Sequence, residues 1–429
     1  MVKNKRELIR GVGLPGAVMM GMGSIVGTGV FVSLGLAAGV TGPAMVFSLF
    51  LAGLLAVCNG LSTAQLASDH PMSGGTYEYG YKYLNEMSGY LAGWLFVCAK
   101  SASAATAAIG FGGYFIRLFS LDDVASWQVG LIVTSLVIFI SALGIKRSSI
   151  ANIMIVSVTL TSLVVYVLVV LPHLDISNFT PLFENQVNSN SAWPSFLEAS
   201  ALMFVAYTGY GRVATLGEEI EDPVKNIPRA IIITLGFSFI IYLSVAIVSI
   251  GAVGSEVFYS GTINDSAPLR MISDRVGHPM VGVVLSFGAM TAMLGVLLNL
   301  VLGLSRVFLA MGRKRDLPSL FSHIDTRHVP VPAILGSGIV ILGLILLKDI
   351  KLAWSFSALT VLMYYSITNI SALYLPKEKR LYPRLFAWLG LFGCLSLALW
   401  VEAQSFLMAG VILLIGIGWR VVYRMFQRY

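Results

Sequence analysis

The residues here best suited to hold a small charged molecule are glycines. Residues 20–31 read Met-Gly-Met-Gly-Ser-Ile-Val-Gly-Thr-Gly-Val-Phe, inside an otherwise apolar run. A glycine in a helix interior costs about 1 kcal/mol relative to alanine. Gly23 and Gly27 are spaced as a small-xxx-small pair, which alone indicates close helix packing. A second run, Phe204-Val-Ala-Tyr-Thr-Gly-Tyr-Gly-Arg212, sets Gly209 and Gly211 in another apolar segment. Glycine-interrupted helices at corresponding places in two halves of a chain point to a site within a membrane. Unwinding frees N–H donors at the start of the following half-helix, where the helix dipole favours an anion. The carbonyls that end the preceding half-helix suit a cation or an ammonium group. Main-chain atoms alone would then hold a carboxylate beside an amino group.

Ionisable residues inside the apolar runs are few. Lys100 lies in Gly-Trp-Leu-Phe-Val-Cys-Ala-Lys, residues 93–100. At 1.5 Å per residue it is ~16 Å into its helix, near the middle of a bilayer core. Such a lysine is costly on insertion scales, by at least ~2.5 kcal/mol. It either bonds backbone carbonyls, carries a coupling proton, stands in for a sodium ion, or touches the substrate directly. Arg212 follows the second glycine pair and stays charged, so it serves as a clamp, a gate or an anion contact. Glu198 is the acid within that same segment, towards its outer end. Thr291, Asn299 and Ser305 offer oxygens on the eighth span; a sodium site near Thr291 is an expectation with no ligand set assigned. The positive core disfavours polyamines and favours neutral or acidic amino acids.

These groups need elements to hold them, and the composition says which. Of 429 residues, 57% are hydrophobic and 11% charged. Soluble domains carry roughly 25% charged residues. Mean hydropathy is +0.83. A soluble enzyme, a nucleic-acid binder and a disordered chain are excluded. Twelve helical spans are expected, over 13–38, 43–67, 89–118, 127–145, 150–172, 195–217, 229–252, 279–311, 331–347, 352–375, 384–401 and 404–425. The runs are too long and too evenly apolar for barrel strands. With the N-terminus cytoplasmic, 21 of the 28 Lys and Arg residues fall inside and five outside. The net charge of +7 then reflects inner loops. Cys58, Cys98 and Cys394 fall in apolar runs, where packing is their expected role. The five histidines are all in expected loops. No P-loop, HExxH or GxSxG motif occurs, so no catalytic residue, cofactor or resident metal is expected.

Four motifs carry a family resemblance. Gly23-Ser-Ile-Val-Gly-Thr-Gly-Val-Phe31 resembles the first-helix glycine motif of the amino acid–polyamine–organocation transporters, permease type. Pro71-Met-Ser-Gly-Gly-Thr-Tyr-Glu-Tyr79 is similar to their P-x-x-G-G-x-Y-x-Y motif. Glu221-Asp-Pro-Val-Lys-Asn-Ile-Pro-Arg-Ala230 resembles N-P-x-K-x-I-P-R-A. Ser305-Arg-Val-Phe-Leu-Ala-Met-Gly-Arg-Lys-Arg-Asp-Leu-Pro318 resembles S-R-x-x-x-A-M-A-R-D-G-x-L-P. The chain departs from the family at Gly211, where some members carry an acid, and at Asp316, read as a loop change with little bearing on the site.

The resemblance implies an all-α membrane protein of LeuT-like five-plus-five inverted repeats with helices 1 and 6 broken. Residues 1–12 would be a cytoplasmic N-terminus, 13–172 the first repeat and 173–194 an extracellular loop. Residues 195–375 would form the second repeat, and 376–429 two added helices with a short cytoplasmic C-terminus. The N–H groups of Thr28 and Gly29, with Gly27, would bind a carboxylate. The carbonyls of Ile25, Val205 and Thr208 would take an ammonium beside Gly209, with Tyr207 as an aromatic gate or wall. Lys100 and Arg212 are the coupling or gating candidates. The implied function is secondary active amino acid transport across the cell membrane by alternating access, as proton- or sodium-coupled symport or as exchange. The partners are then a small amino acid and the lipid bilayer, without nucleic acid; oligomeric state is open. The alternatives are an amine or polyamine carrier and a non-transporting sensor.

Overall fold

The computed structural model describes residues 12–70, 74–121, 123–144, 149–184, 191–215, 220–325 and 329–426. Among these the chain is helical, with one isolated bridge between Val12 and Ile220. The helices run in the order α1 (Leu14–Ile25), α2 (Leu34–Thr41), α3 (Met45–Asp69), α4 (Thr76–Tyr83), α5 (Glu86–Phe119), α6 (Ser126–Ala142), α7 (Ser149–Val170) and α8 (Ala192–Tyr207). They continue as α9 (Gly211–Thr215), α10 (Pro223–Asp265), α11 (Pro268–Arg275), α12 (Pro279–Arg313), α13 (Val331–Ile345), α14 (Ile350–Leu373), α15 (Arg384–Ala398) and α16 (Ala403–Phe426).

Local chemistry sets the ends of several of these. Proline stands in the first two positions of α1, α10, α11, α12 and α13. Its missing N–H is no loss there and its fixed φ suits the first turn. The Asn85 side chain accepts from the Ser88 N–H at 2.8 Å and starts α5. Asp349 does the same for α14 through the Leu352 N–H at 2.9 Å. Gly254 (φ 77°) bends α10, which is longer than the expected seventh span.

Among the described residues, seven helical stretches are long and apolar enough to cross a membrane, and α6, α13 and α15 are shorter apolar helices. The expected first two spans appear as one stretch, Leu14–Asp69, interrupted within itself. The expected sixth is divided into α8 and α9 by its glycines. Outward faces are apolar: Ile132, Leu136 and Phe139 on α6, Phe237 and Ile240 on α10, Leu407 and Leu414 on α16 are exposed. In water such faces would be a liability; against hydrocarbon they are required. The centre is built on α5, which packs on α12 and α14. Its alanines from Ala99 to Ala108 are buried, and small side chains let neighbouring helices approach closely. Cys98 and Cys394 are buried thiols and Cys58 is partly so; none is in a disulfide.

Candidate functional site

The first glycine run does interrupt its helix. The last α1-type bond runs from the Val26 N–H to the Met22 carbonyl at 2.8 Å, and Val26 is extended (φ −78°, ψ 97°). The chain re-enters helix at once, with the N–H groups of Val30 and Phe31 both on the Gly27 carbonyl at 3.1 Å. A π-helical turn, Gly29–Ser33, follows before α2. The N–H groups of Gly27, Thr28 and Gly29 have no backbone acceptor among the described residues. The Thr28 hydroxyl is buried beside them, also without a partner.

The second interruption is tighter than an unwound segment. Between α8 and α9 the chain makes one 3-10 turn, Thr208–Tyr210. The Thr208 N–H bonds the Val205 carbonyl, and the Thr208 hydroxyl donates to that same carbonyl at 2.8 Å.

The two interruptions lie backbone against backbone. A β-carbon on Gly209 would stand 2.6 Å from the Ile25 nitrogen and against the Ser24 carbonyl. One on Gly29 would stand 2.9 Å from the Ala206 Cβ and 2.7 Å from the Tyr242 hydroxyl. Residue 24 thus meets 209 while 29 meets 206, so the segments cross antiparallel. Tyr242 of α10 stitches them: its hydroxyl donates to the Ile25 carbonyl at 2.7 Å and reaches the Ala206 carbonyl at 3.2 Å.

A cavity of about 130 Å³ opens at this crossing. Ile25, Thr28 and Gly29 line it from the first interruption, and Val205, Thr208 and Gly209 from the second. Lys100 and Arg212 also line it. Gly27 and Tyr207 do not. Gly27 backs onto α12, where a β-carbon would stand 2.6 Å from Val296 Cγ2. Tyr207 is buried against Tyr242, with its hydroxyl 3.5 Å from the Leu49 carbonyl. The aromatic lining is instead Trp354, Tyr364 and Tyr365 of α14, with Phe96 of α5 and Tyr79 of α4. Sequence reasoning did not assign these five to the site; the adjacent Tyr364-Tyr365 pair in an apolar run was the available signal. Thr291 lies outside the cavity, with its hydroxyl on the Phe287 and Gly288 carbonyls of its own helix. Glu198 is buried but also outside the lining.

Lys100 is 8% exposed, and its ammonium donates to Thr208 Oγ1 at 3.1 Å. The bonds run in one direction, from ammonium to hydroxyl to the Val205 carbonyl. The Tyr364 ring lies 5.9 Å from the ammonium. No carboxylate among the described residues lines the cavity. Arg306 is exposed and also belongs to the lining, as do Thr63, Gly75 and Thr76.

Two of the motifs meet at Asp316. Asp316 is fully buried and accepts from the hydroxyls of Tyr77, at 3.0 Å, and Tyr81. Arg420 and Arg424 of α16 approach its other oxygen at 3.5 and 3.8 Å. Lys314 pairs with Glu78 at 2.9 Å and lies 4.0 Å over the Tyr81 ring. Burial, followed by the Asp316 charge, raises the Tyr77 phenol well above its usual range. Burial and the hydrogen bond to Asp316 do the same for Tyr81, so both remain donors. Asp316, expected as a loop change with little bearing on the site, lies outside the cavity lining and joins α4, the loop after α12 and α16. In register with the family pattern, the glycine position falls on Arg315, which takes the left-handed backbone (φ 59°) glycine favours. Of the motif segments, residues 71–73 lie outside the described residues.

The Amino acid permease family profile matches residues 12–420. The chain belongs to the amino acid permease family. An uncharacterized transporter of Mycobacterium tuberculosis is 37% identical over 426 residues, covering 98% of this chain and 93% of the relative. The branched-chain amino acid permease of Bacillus subtilis is 26% identical, covering 99% and 94%. The vacuolar cationic amino acid transporter 4 of Arabidopsis thaliana is 29% identical, covering 87% of this permease and 65% of the relative. This permease is a multi-pass membrane transporter, not an enzyme.

Proposed function

We propose that this permease is a secondary active amino acid transporter that works by alternating access around the crossing of its two interrupted helices. The observation that carries the reading is the set of open donors at the first interruption. The N–H groups of Thr28 and Gly29 and the unpartnered Thr28 hydroxyl all belong to residues lining one cavity. Such a set at a helix start binds a carboxylate. On this reading Gly27 shapes the turn, Tyr207 braces it from behind, and Gly209 permits the close crossing. The antiparallel crossing supports two inverted repeats, 13–172 and 195–375, within twelve spans. The Lys and Arg bias supports cytoplasmic termini in a cell membrane. Lys100 and Arg212 are the groups placed to couple or gate transport, with a proton, with sodium, or by exchange. A polyamine substrate fits poorly with a cavity that already presents a lysine.

The test is uptake of labelled amino acids into liposomes carrying the purified protein, with and without a pH gradient and with amino acids preloaded. Saturable uptake competed by particular amino acids is expected. No uptake under any of these conditions would overturn the reading.

A further inference from the structure

Resting on that reading, we infer that the substrate carries a net negative charge: it is an acidic amino acid, and Lys100 is the residue that selects it. The cavity is unequal in its hydrogen-bonding groups. Donors stand open in it, while each of the three carbonyls expected to take an ammonium already accepts at least one bond. The N–H groups of Thr28 and Gly29 have no backbone acceptor among the described residues. The carbonyls expected to take an ammonium are already engaged. Ile25 accepts from Tyr242. Val205 accepts twice from Thr208, filling both lone pairs. Thr208 accepts from the Gly211 N–H. The cation position beside the second interruption is held by the protein's own ammonium, Lys100, at 3.1 Å from Thr208 Oγ1.

An ammonium carries three donors. Thr208 Oγ1 satisfies one of them, and no other described acceptor lies within bonding distance of Lys100. No described carboxylate lines the cavity to balance the charge. A buried lysine without a counter-charge is costly, and a substrate that brings the missing charge recovers that cost. A neutral zwitterion leaves Lys100 unbalanced, and a cationic substrate adds a second positive charge to it. An acidic amino acid places one carboxylate on the Thr28–Gly29 donors and the other on Lys100. Arg306, exposed in the lining, has the sign that attracts such a substrate.

The test is isothermal titration of the purified permease in lipid nanodiscs with glutamate, aspartate, glutamine, asparagine, leucine and lysine. Glutamate and aspartate are expected to bind at least tenfold more tightly than their amides. Lys100→Met should remove that difference and Lys100→Arg should retain part of it. Tighter binding of leucine, glutamine or lysine by the native protein overturns the inference while leaving amino acid transport intact. An unchanged preference for acids in Lys100→Met overturns the role of Lys100. Binding of no amino acid overturns the transport reading and this inference with it. The native ranking stands as a test even if a variant misfolds.

Discussion

Gly209 lies against the carbonyl of Ser24, with no room for a β-carbon between them. That contact fixes how the two interrupted helices meet, and its neighbour is backbone, which cannot swing aside. Gly209→Ala is expected to abolish substrate binding while the protein still inserts in the membrane. Binding measured on detergent-purified variant checks this; native affinity would remove the crossing from the site.

Tyr242 belongs to neither interrupted helix, yet its hydroxyl holds a carbonyl of the first and lies beside one of the second. Tyr242→Phe keeps the ring and deletes the hydrogen bond, at a cost of about 1 kcal/mol. A lower melting temperature and weaker substrate binding are expected together. A melting temperature that falls while affinity is unchanged would confine Tyr242 to packing.

Lys100→Ala is expected to change the pH dependence of uptake, because it removes the titratable group bonded to the second interruption. Uptake measured from pH 5 to 9 is the check. A profile that scales down without changing shape would exclude Lys100 from coupling.

Asp316→Asn leaves the buried Arg420 only the exposed Glu86 carboxylate, 3.9 Å away, and breaking a buried pair costs about 3–5 kcal/mol. A lower melting temperature is expected, with a non-additive Arg420→Met, Asp316→Asn double variant. Additive losses would show that the two residues do not interact.

The phenols of Tyr77 and Tyr81 are raised, chiefly by burial. A folded-state value above the unfolded one favours the protonated form in the fold. Their contribution is complete below about pH 10 and is lost as pH rises beyond it. Tyr81→Phe should flatten the alkaline fall in thermal stability; an unchanged fall would assign it to other groups.

The interruptions were legible in the sequence because glycine inside an apolar run has no local reason to be there. Lys100 was legible for the same reason. Which glycine does what was not. Gly27 and Gly29 look alike in sequence, yet one backs onto Val296 and the other meets Ala206 and Tyr242. The turn of a helix decides this, and small shifts in winding, such as the π-helical turn after Thr28, are invisible in residue types. Tyr207 illustrates the same limit, since its place beside the glycines did not reveal that its ring faces away from the cavity. What Asp316 holds together was not legible because its partners, Tyr77, Tyr81 and Arg420, come from segments distant in the chain.

The donors at the head of this cavity are main-chain atoms, and no point mutation can delete a peptide N–H except by introducing proline. Its walls, Phe96, Ser103, Asn299 and Trp354, are side chains and change one codon at a time. Descendants of one ancestral carrier can therefore trade cargo without first losing their grip on the part every cargo shares.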